Sequence, residues 1–196
     1  MKTKLIEIPK ENDERKFTYF PQVSTEIMKE FYSSRKAKGL DTDTAIKSKD
    51  YAAYTFAHTR LDHSIDFCKC KLRIEMPKEN TFIIDTDYVK RLKKVVDARA
   101  KQYRDTTRGV LIFPVINERK IYMINIDKLD STYVDSQFVN NTYKETNVKR
   151  EGEYYYIPKE NMIVVKMPET IQFYSNEKQF EKIIEKKVEE RASSLF

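Results

Sequence analysis

Apolar and polar positions alternate most informatively between Thr81 and Leu129. TFIID reads as a strand. The next segment, from Thr86 to Arg108, places Val89, Leu92, Val96, Ala100 and Tyr103 at the three- and four-residue intervals of one buried helix face. VLIFPVI and IYMINIDKL are β-branched and aromatic, and the four residues Asn117 to Lys120 between them suit a hairpin loop. The pattern predicts a helix lying on a sheet.

Upstream, KTKLIEI and KFTYFPQV read as short strands around the polar turn Pro9 to Arg15, forming a hairpin or an edge. Ser24 or Thr25 caps a helix, STEIMKEFYSSRKAKG, with Ile27 and Phe31 inward and Gly39 as its stop. Thr42 or Asp43 caps a second, through roughly Leu61, with Ile46, Ala53, Ala57 and Leu61 on one face. SIDFCKC and KLRIEM are strands. After Leu129, the polar segment from Asp130 to Glu153 predicts a short helix and a loop, EYYYIP and MIVVKM return to strand, and the chain from Ser175 reads as an amphipathic helix. Pro-Lys-Glu-Asn occurs at Pro9, Pro77 and Pro158; proline fixes φ and asparagine tolerates the left-handed region, so each copy reads as a reused turn. The unequal spacings exclude a solenoid.

A chain of 196 residues with 40% hydrophobic positions supports one α+β domain over 1–174, with the helix of 175–196 packed on it or used for oligomerisation. Charged residues make up 35% and mean hydropathy is −0.70, yet 12% aromatic content and the apolar periods argue for a folded chain. There is no apolar run of membrane-spanning length and no signal-peptide pattern, and the Cys68-x-Cys70 pair cannot staple the fold; a cytoplasmic location is expected.

The net charge is +6 and the pI about 9.1. From Thr86 to Arg108 eight lysines and arginines face three aspartates, an excess of five. The C-terminal helix balances five bases against five acids between Glu177 and Arg191. Lys90, Lys93, Lys94, Arg99, Lys101 and Arg104 are therefore the candidate backbone contacts for a nucleic acid. Tyr122, Tyr133, Tyr143 and Tyr154 to Tyr156 are candidates for stacking on bases. Three glycines in the whole chain exclude a glycine-rich phosphate loop, and no G-x-S-x-G motif occurs.

Two constellations carry candidate metal chemistry. His58, His63, Cys68 and Cys70 are the chain's only histidines and cysteines, and thiolate with imidazole is the donor set of zinc; the helix must end between the histidines, about 140° apart in azimuth, for both to reach one ion. Asp66 and Glu75 lie on consecutive expected strands with Lys78 just beyond, the residue types that hold Mg²⁺ or Mn²⁺ and a scissile phosphate.

A helix, strands carrying an acidic residue and an acidic-x-Lys motif, an amphipathic helix and two more strands resembles the core of the PD-(D/E)XK nuclease superfamily, with LRIEM through IYMINIDKL corresponding to its later half. The YYYIPKENMIVV segment is similar to the tail of phage and bacterial members. The resemblance implies a central mixed β-sheet flanked by helices, restriction-endonuclease-like. It further implies a metal-dependent endonuclease of phage or mobile-element type in which Asp66, Glu75 and Lys78 are catalytic. Asp66 and Glu75 would hold the metal, with His63 or His58 assisting as a histidine does in some viral members. Here the acidic-x-Lys motif is Glu75-Met76-Pro77-Lys78, one residue longer than the pattern and broken by proline. The alternative is accordingly a non-catalytic binding protein that blocks a host nucleic acid or nucleoprotein complex. A third expectation is an oligomerising factor built on the C-terminal helix.

Overall fold

The computed structural model describes residues 3–8, 16–37, 45–47, 54–60, 62–103, 106–140, 149–175, 178–179 and 181–186. Eleven strands and two long helices are defined among these residues. The strands are β1 (Lys4–Glu7), β2 (Ala45–Lys47), β3 (Phe56–Thr59), β4 (Ile65–Cys70), β5 (Thr81–Asp85), β6 (Thr107–Val115), β7 (Lys120–Asn125), β8 (Val134–Asn140), β9 (Lys149–Pro158), β10 (Ile163–Lys166) and β11 (Ile171–Tyr174), and the helices are α1 (Lys16–Ala37) and α2 (Thr86–Tyr103). The fold is mixed α+β. Its centre is a six-stranded sheet in the order β10-β7-β6-β4-β3-β2, in which only β4 and β6 pair in parallel. A three-stranded antiparallel sheet, β5-β9-β8, and a parallel pair, β1-β11, complete it.

The two faces of the central sheet bury separate apolar layers because side chains alternate along each strand. On one face, Cys68 and Cys70 of β4 and Ile112 of β6 pack with Val23, Ile27, Met28 and Phe31 of α1. On the other, Phe67, Leu111, Phe113 and Val115 meet Val89 and Leu92 of α2 and Phe82, Ile84 and Ile157 of the smaller sheet. Asp85 ends β5, and its carboxylate accepts a hydrogen bond from Asp87 N at 2.7 Å, which turns the strand directly into α2. Glu26 of α1 pairs with Lys4 of β1, so the edge pair is tied to the same helix. Across the β6–β7 hairpin Arg119 adopts φ 52° and its guanidinium donates to the carbonyls of Pro168 and Ile171. Both described copies of Pro-Lys-Glu-Asn form 3-10 turns, and Lys159 of the third donates to Asn80 of the second at 2.8 Å.

Gly109 of β6 leaves room for Ile126, just past β7, and for Leu92 of α2. A Cβ there would lie 2.4 Å from Ile126 Cδ1 and 3.3 Å from Leu92 Cγ, so Gly109→Ala is expected to cost about 1–3 kcal/mol by overpacking. Urea denaturation would measure it; unchanged stability would show that Ile126 and Leu92 yield freely.

Several elements differ from the sequence expectation. KFTYFPQV is not a strand but the beginning of α1, because Val23, Ile27, Met28 and Phe31 give one continuous buried helix face that outweighs the local β preference of its aromatics. β1 consequently finds its partner at the far end of the chain, in β11, instead of in a hairpin. The helix expected up to Leu61 is replaced by β2 and β3, where Phe56 and His58 are buried and Ala57 and Thr59 half-buried, a period of two. Thr42, Asp43, Ala53 and Leu61 lie outside the described residues. Arg108 belongs to β6 and not to α2. The short helix expected after Leu129 is a single 3-10 turn, Ser131–Tyr133, followed by β8. Residues 178–179 and 181–186 are helical and largely exposed.

Candidate nucleic-acid interface

The residues from Lys69 to Arg73 alternate basic with apolar, Lys-Cys-Lys-Leu-Arg, so Lys69, Lys71 and Arg73 share the face of the sheet opposite to Cys70 and Leu72. That face is the one α2 covers. Tyr88, in the first turns of α2, lies among three cations: Lys69 Nζ at 4.9 Å, Lys71 Nζ at 4.6 Å and Arg91 Cζ at 4.8 Å from the ring centroid. The ring's negative face stabilises them, and their mutual repulsion opposes it. Lys69 is 7% exposed, and burial beside Arg73 and Lys69 lowers the Lys71 pKa to about 8, with Asp85 acting the other way. Burial also lowers that of Arg73.

The exposed side of α2 continues this charge. Four- and seven-residue separations put Lys90, Lys94 and Lys101 within about 40° of one another around the axis. Lys90 is partly neutralised, 3.8 Å from both Asp87 and Glu153. Lys94 and Lys101, with Lys93 on the flank, are exposed and make no ion pair with a described residue. Arg99 turns toward the sheet, half-buried with its Nε inaccessible. Arg104 and the side chain of Lys78 lie outside the described residues.

The metal sites expected from sequence do not assemble. Among the described residues no group of three or more His, Cys, Asp or Glu is placed to hold a metal ion. For Mg²⁺ or Mn²⁺ at Asp66, Glu75 and His63 the reason is distance along one strand path. Asp66 pairs with Arg108 and Arg73 bridges Val115 in the same parallel register, so seven residues, roughly 23 Å, separate Asp66 from Arg73, with Glu75 beyond it. Glu75 is exposed and accepts from Asn117 Nδ2 at 3.3 Å, while Asp66 is nearly buried and bound to arginines. His63 is exposed at φ 62° in the β3–β4 turn. For zinc, His58 is instead stacked on Tyr32 at 3.9 Å, and Cys68 and Cys70 are buried thiols whose pKa values desolvation raises, which disfavours the thiolate a metal needs.

Of the tyrosines considered for stacking, Tyr122 and Tyr154 are buried and Tyr155 packs on the core. Burial and a hydrogen bond to Glu118 raise the Tyr122 pKa to about 12. Tyr133 accepts from Asn161, and Tyr143 lies outside the described residues. The aromatic that does sit among cations, Tyr88, was missed, as were Lys69, Lys71 and Arg73; dividing SIDFCKC from KLRIEM split their two-residue period. Membrane spans are not found among the described helices. No protein-family model matches the chain, and no curated protein matches it in sequence.

Proposed function

We propose that this is a nucleic-acid-binding protein without catalytic chemistry, a degenerate restriction-endonuclease-like domain whose contact face is formed by α2 and the end of β4. The observation that carries the reading is the crowding of Lys69, Lys71 and Arg91 around Tyr88, with Arg73 alongside; of the charges acting on Lys71, those of Arg73 and Lys69 are positive and only that of Asp85 is negative. Such an excess is costly in isolation, and a phosphate backbone relieves it. The order α1, β2, β3, β4, β5, α2, β6, with β4 and β6 parallel and β5 set aside in the smaller sheet, is compatible with the nuclease-like descent. Glu75, the acid of the acidic-x-Lys motif, is exposed and hydrogen-bonded to Asn117, beyond Arg73 on the path from Asp66, so the two carboxylates do not share an ion. Binding without turnover suits a protein that occludes a nucleic acid from other factors.

Fluorescence anisotropy with single- and double-stranded DNA and RNA tests this. Five contacts from Lys71, Arg73, Arg91, Lys94 and Lys101 give an expected slope of log K on log salt of roughly −4.5 for a duplex and −3.5 for a single strand. Absence of binding to every oligonucleotide at low salt would end the proposal. Lys71 adds a pH signature. Its folded pKa of about 8 lies below its ordinary value of 10.5, so the unfolded chain holds more protons between those values and stability rises with pH across that window. A bound phosphate draws the pKa back up. Binding near pH 8.5 should therefore take up a proton, and affinity should fall as pH rises through 8 to 10; calorimetry in buffers of different ionisation enthalpy measures the uptake.

A further inference from the structure

The opposite face of the central sheet holds a cavity of about 320 Å³ between α1 and strands β3, β4, β6, β7 and β10. Its charged wall has three guanidinium groups and one carboxylate. Arg108 Nε donates to Asp66 Oδ1 at 2.9 Å, and Arg60 Nη1 lies 3.7 Å from Asp66 Oδ2, so both carboxylate oxygens are engaged. Arg35, on the last described turns of α1, lies over the Phe31 ring at 5.4 Å and makes no ion pair with a described residue. The Arg108 side chain is about a third exposed on this wall, although its Nη2 is buried and has no hydrogen-bond partner among the described residues. The wall thus offers an acceptor the guanidinium groups of Arg35 and Arg108. Beside it Val110, Met123 and Val165, from three neighbouring strands, form an apolar floor, with Asn125 of β7 at its margin. The His58–Tyr32 stack, interplanar angle 14°, is also part of the lining.

A volume of this size is at the small end of ligand sites. A phosphodiester strand would bring several charges and no apolar body to fill the floor. We propose that the cavity binds a small amphipathic anion, its carboxylate or phosphate monoester head on Arg35 and Arg108 and its apolar body over Val110, Met123 and Val165. The site lies on the other face of the sheet from α2, and it stands independently of the nucleic-acid reading.

Isothermal titration of the full chain with phenyl phosphate and with benzoate distinguishes the two head groups; inorganic phosphate and benzyl alcohol supply the head and the body alone. At least one of the first two is expected to bind tighter than roughly 1 mM, with both controls at least about tenfold weaker. Arg35→Met keeps an apolar stem at a half-exposed position and should weaken binding about tenfold by removing one charge-assisted contact. Val165→Phe should weaken it by filling the floor. Circular dichroism with a cooperative thermal transition would show that each variant is folded. Failure of both probes to bind, inorganic phosphate binding as tightly as phenyl phosphate, or wild-type affinity in both folded variants would overturn the proposal.

Discussion

Phe113→Ala is expected to lower the free energy of unfolding by about 4 kcal/mol and the melting temperature by roughly 10 °C. Phe113 is fully buried on β6, its ring 4.7 Å from that of Phe82 on β5, which in turn lies 5.2 Å from Tyr122 on β7. These three rings join the central sheet to the smaller one. Truncation removes most of an aromatic side chain where two sheets and α2 converge, and a rigid seam of this kind cannot close over the space left behind. Phe113→Leu retains most of the volume and should cost clearly less, about 1–2 kcal/mol. Urea denaturation with an unchanged m-value is the measurement. A loss under about 1 kcal/mol for the alanine variant would mean that the smaller sheet is not anchored there.

How much of this was legible depended on whether burial was the dominant local signal. TFIID, Val89, Leu92 and Val96 of α2 and the β6–β7 hairpin match the expectation because each buries one face against the same layer, and period and propensity agree. Phe56 and His58 were read as helix because the preceding alanines satisfy helical spacing as readily as strand spacing; their burial depends on α1, which no local pattern reveals. The β1–β11 pair joins the two ends of the described sheet structure, and nothing within either tetrapeptide specifies it.

The candidate site shows the same division. The exposed lysines of α2 stood out because charge is visible in composition, and Lys94 and Lys101 are indeed on its solvent side. Asp66 also stood out, but as a metal ligand; in the fold its charge is matched by Arg108, 42 residues further on in sequence and directly opposite in register. A carboxylate's role is set by what faces it across the sheet, and the sequence names only the carboxylate. The Tyr88 cluster is hidden for the opposite reason: Lys69 and Lys71 lie on and just past β4 and Tyr88 on α2, and only the packing of the helix on the strand brings the ring to them.

Reversing Arg91, Lys94 and Lys101 to glutamate together should weaken oligonucleotide binding roughly a thousandfold at 0.1 M salt. The magnitude follows from counterion release: at that concentration each phosphate contact contributes roughly 0.9 log unit on a duplex, so three contacts account for nearly three, before the added repulsion is counted. The slope of log K on log salt should flatten from roughly −4.5 to roughly −1.8 or less, because only Lys71 and Arg73 remain. All three side chains are exposed, so stability should shift little, within about 0.5 kcal/mol per position. Arg91 alone should show a second effect, since its guanidinium lies 4.8 Å from the Tyr88 centroid beside Lys69 and Lys71. A glutamate there adds a carboxylate beside that of Asp85, so Arg91→Glu should move the Lys71 pKa back up from about 8 toward its ordinary value even with no nucleic acid present. Lys166→Glu, on the edge strand β10, is the matched control: it changes the net charge by the same amount as any single reversal and should leave the slope within half a contact of wild type. If that control weakens binding as much as Lys94→Glu does, the attraction is the diffuse field of a basic chain, and the face built by α2 and β4 has no special part in it.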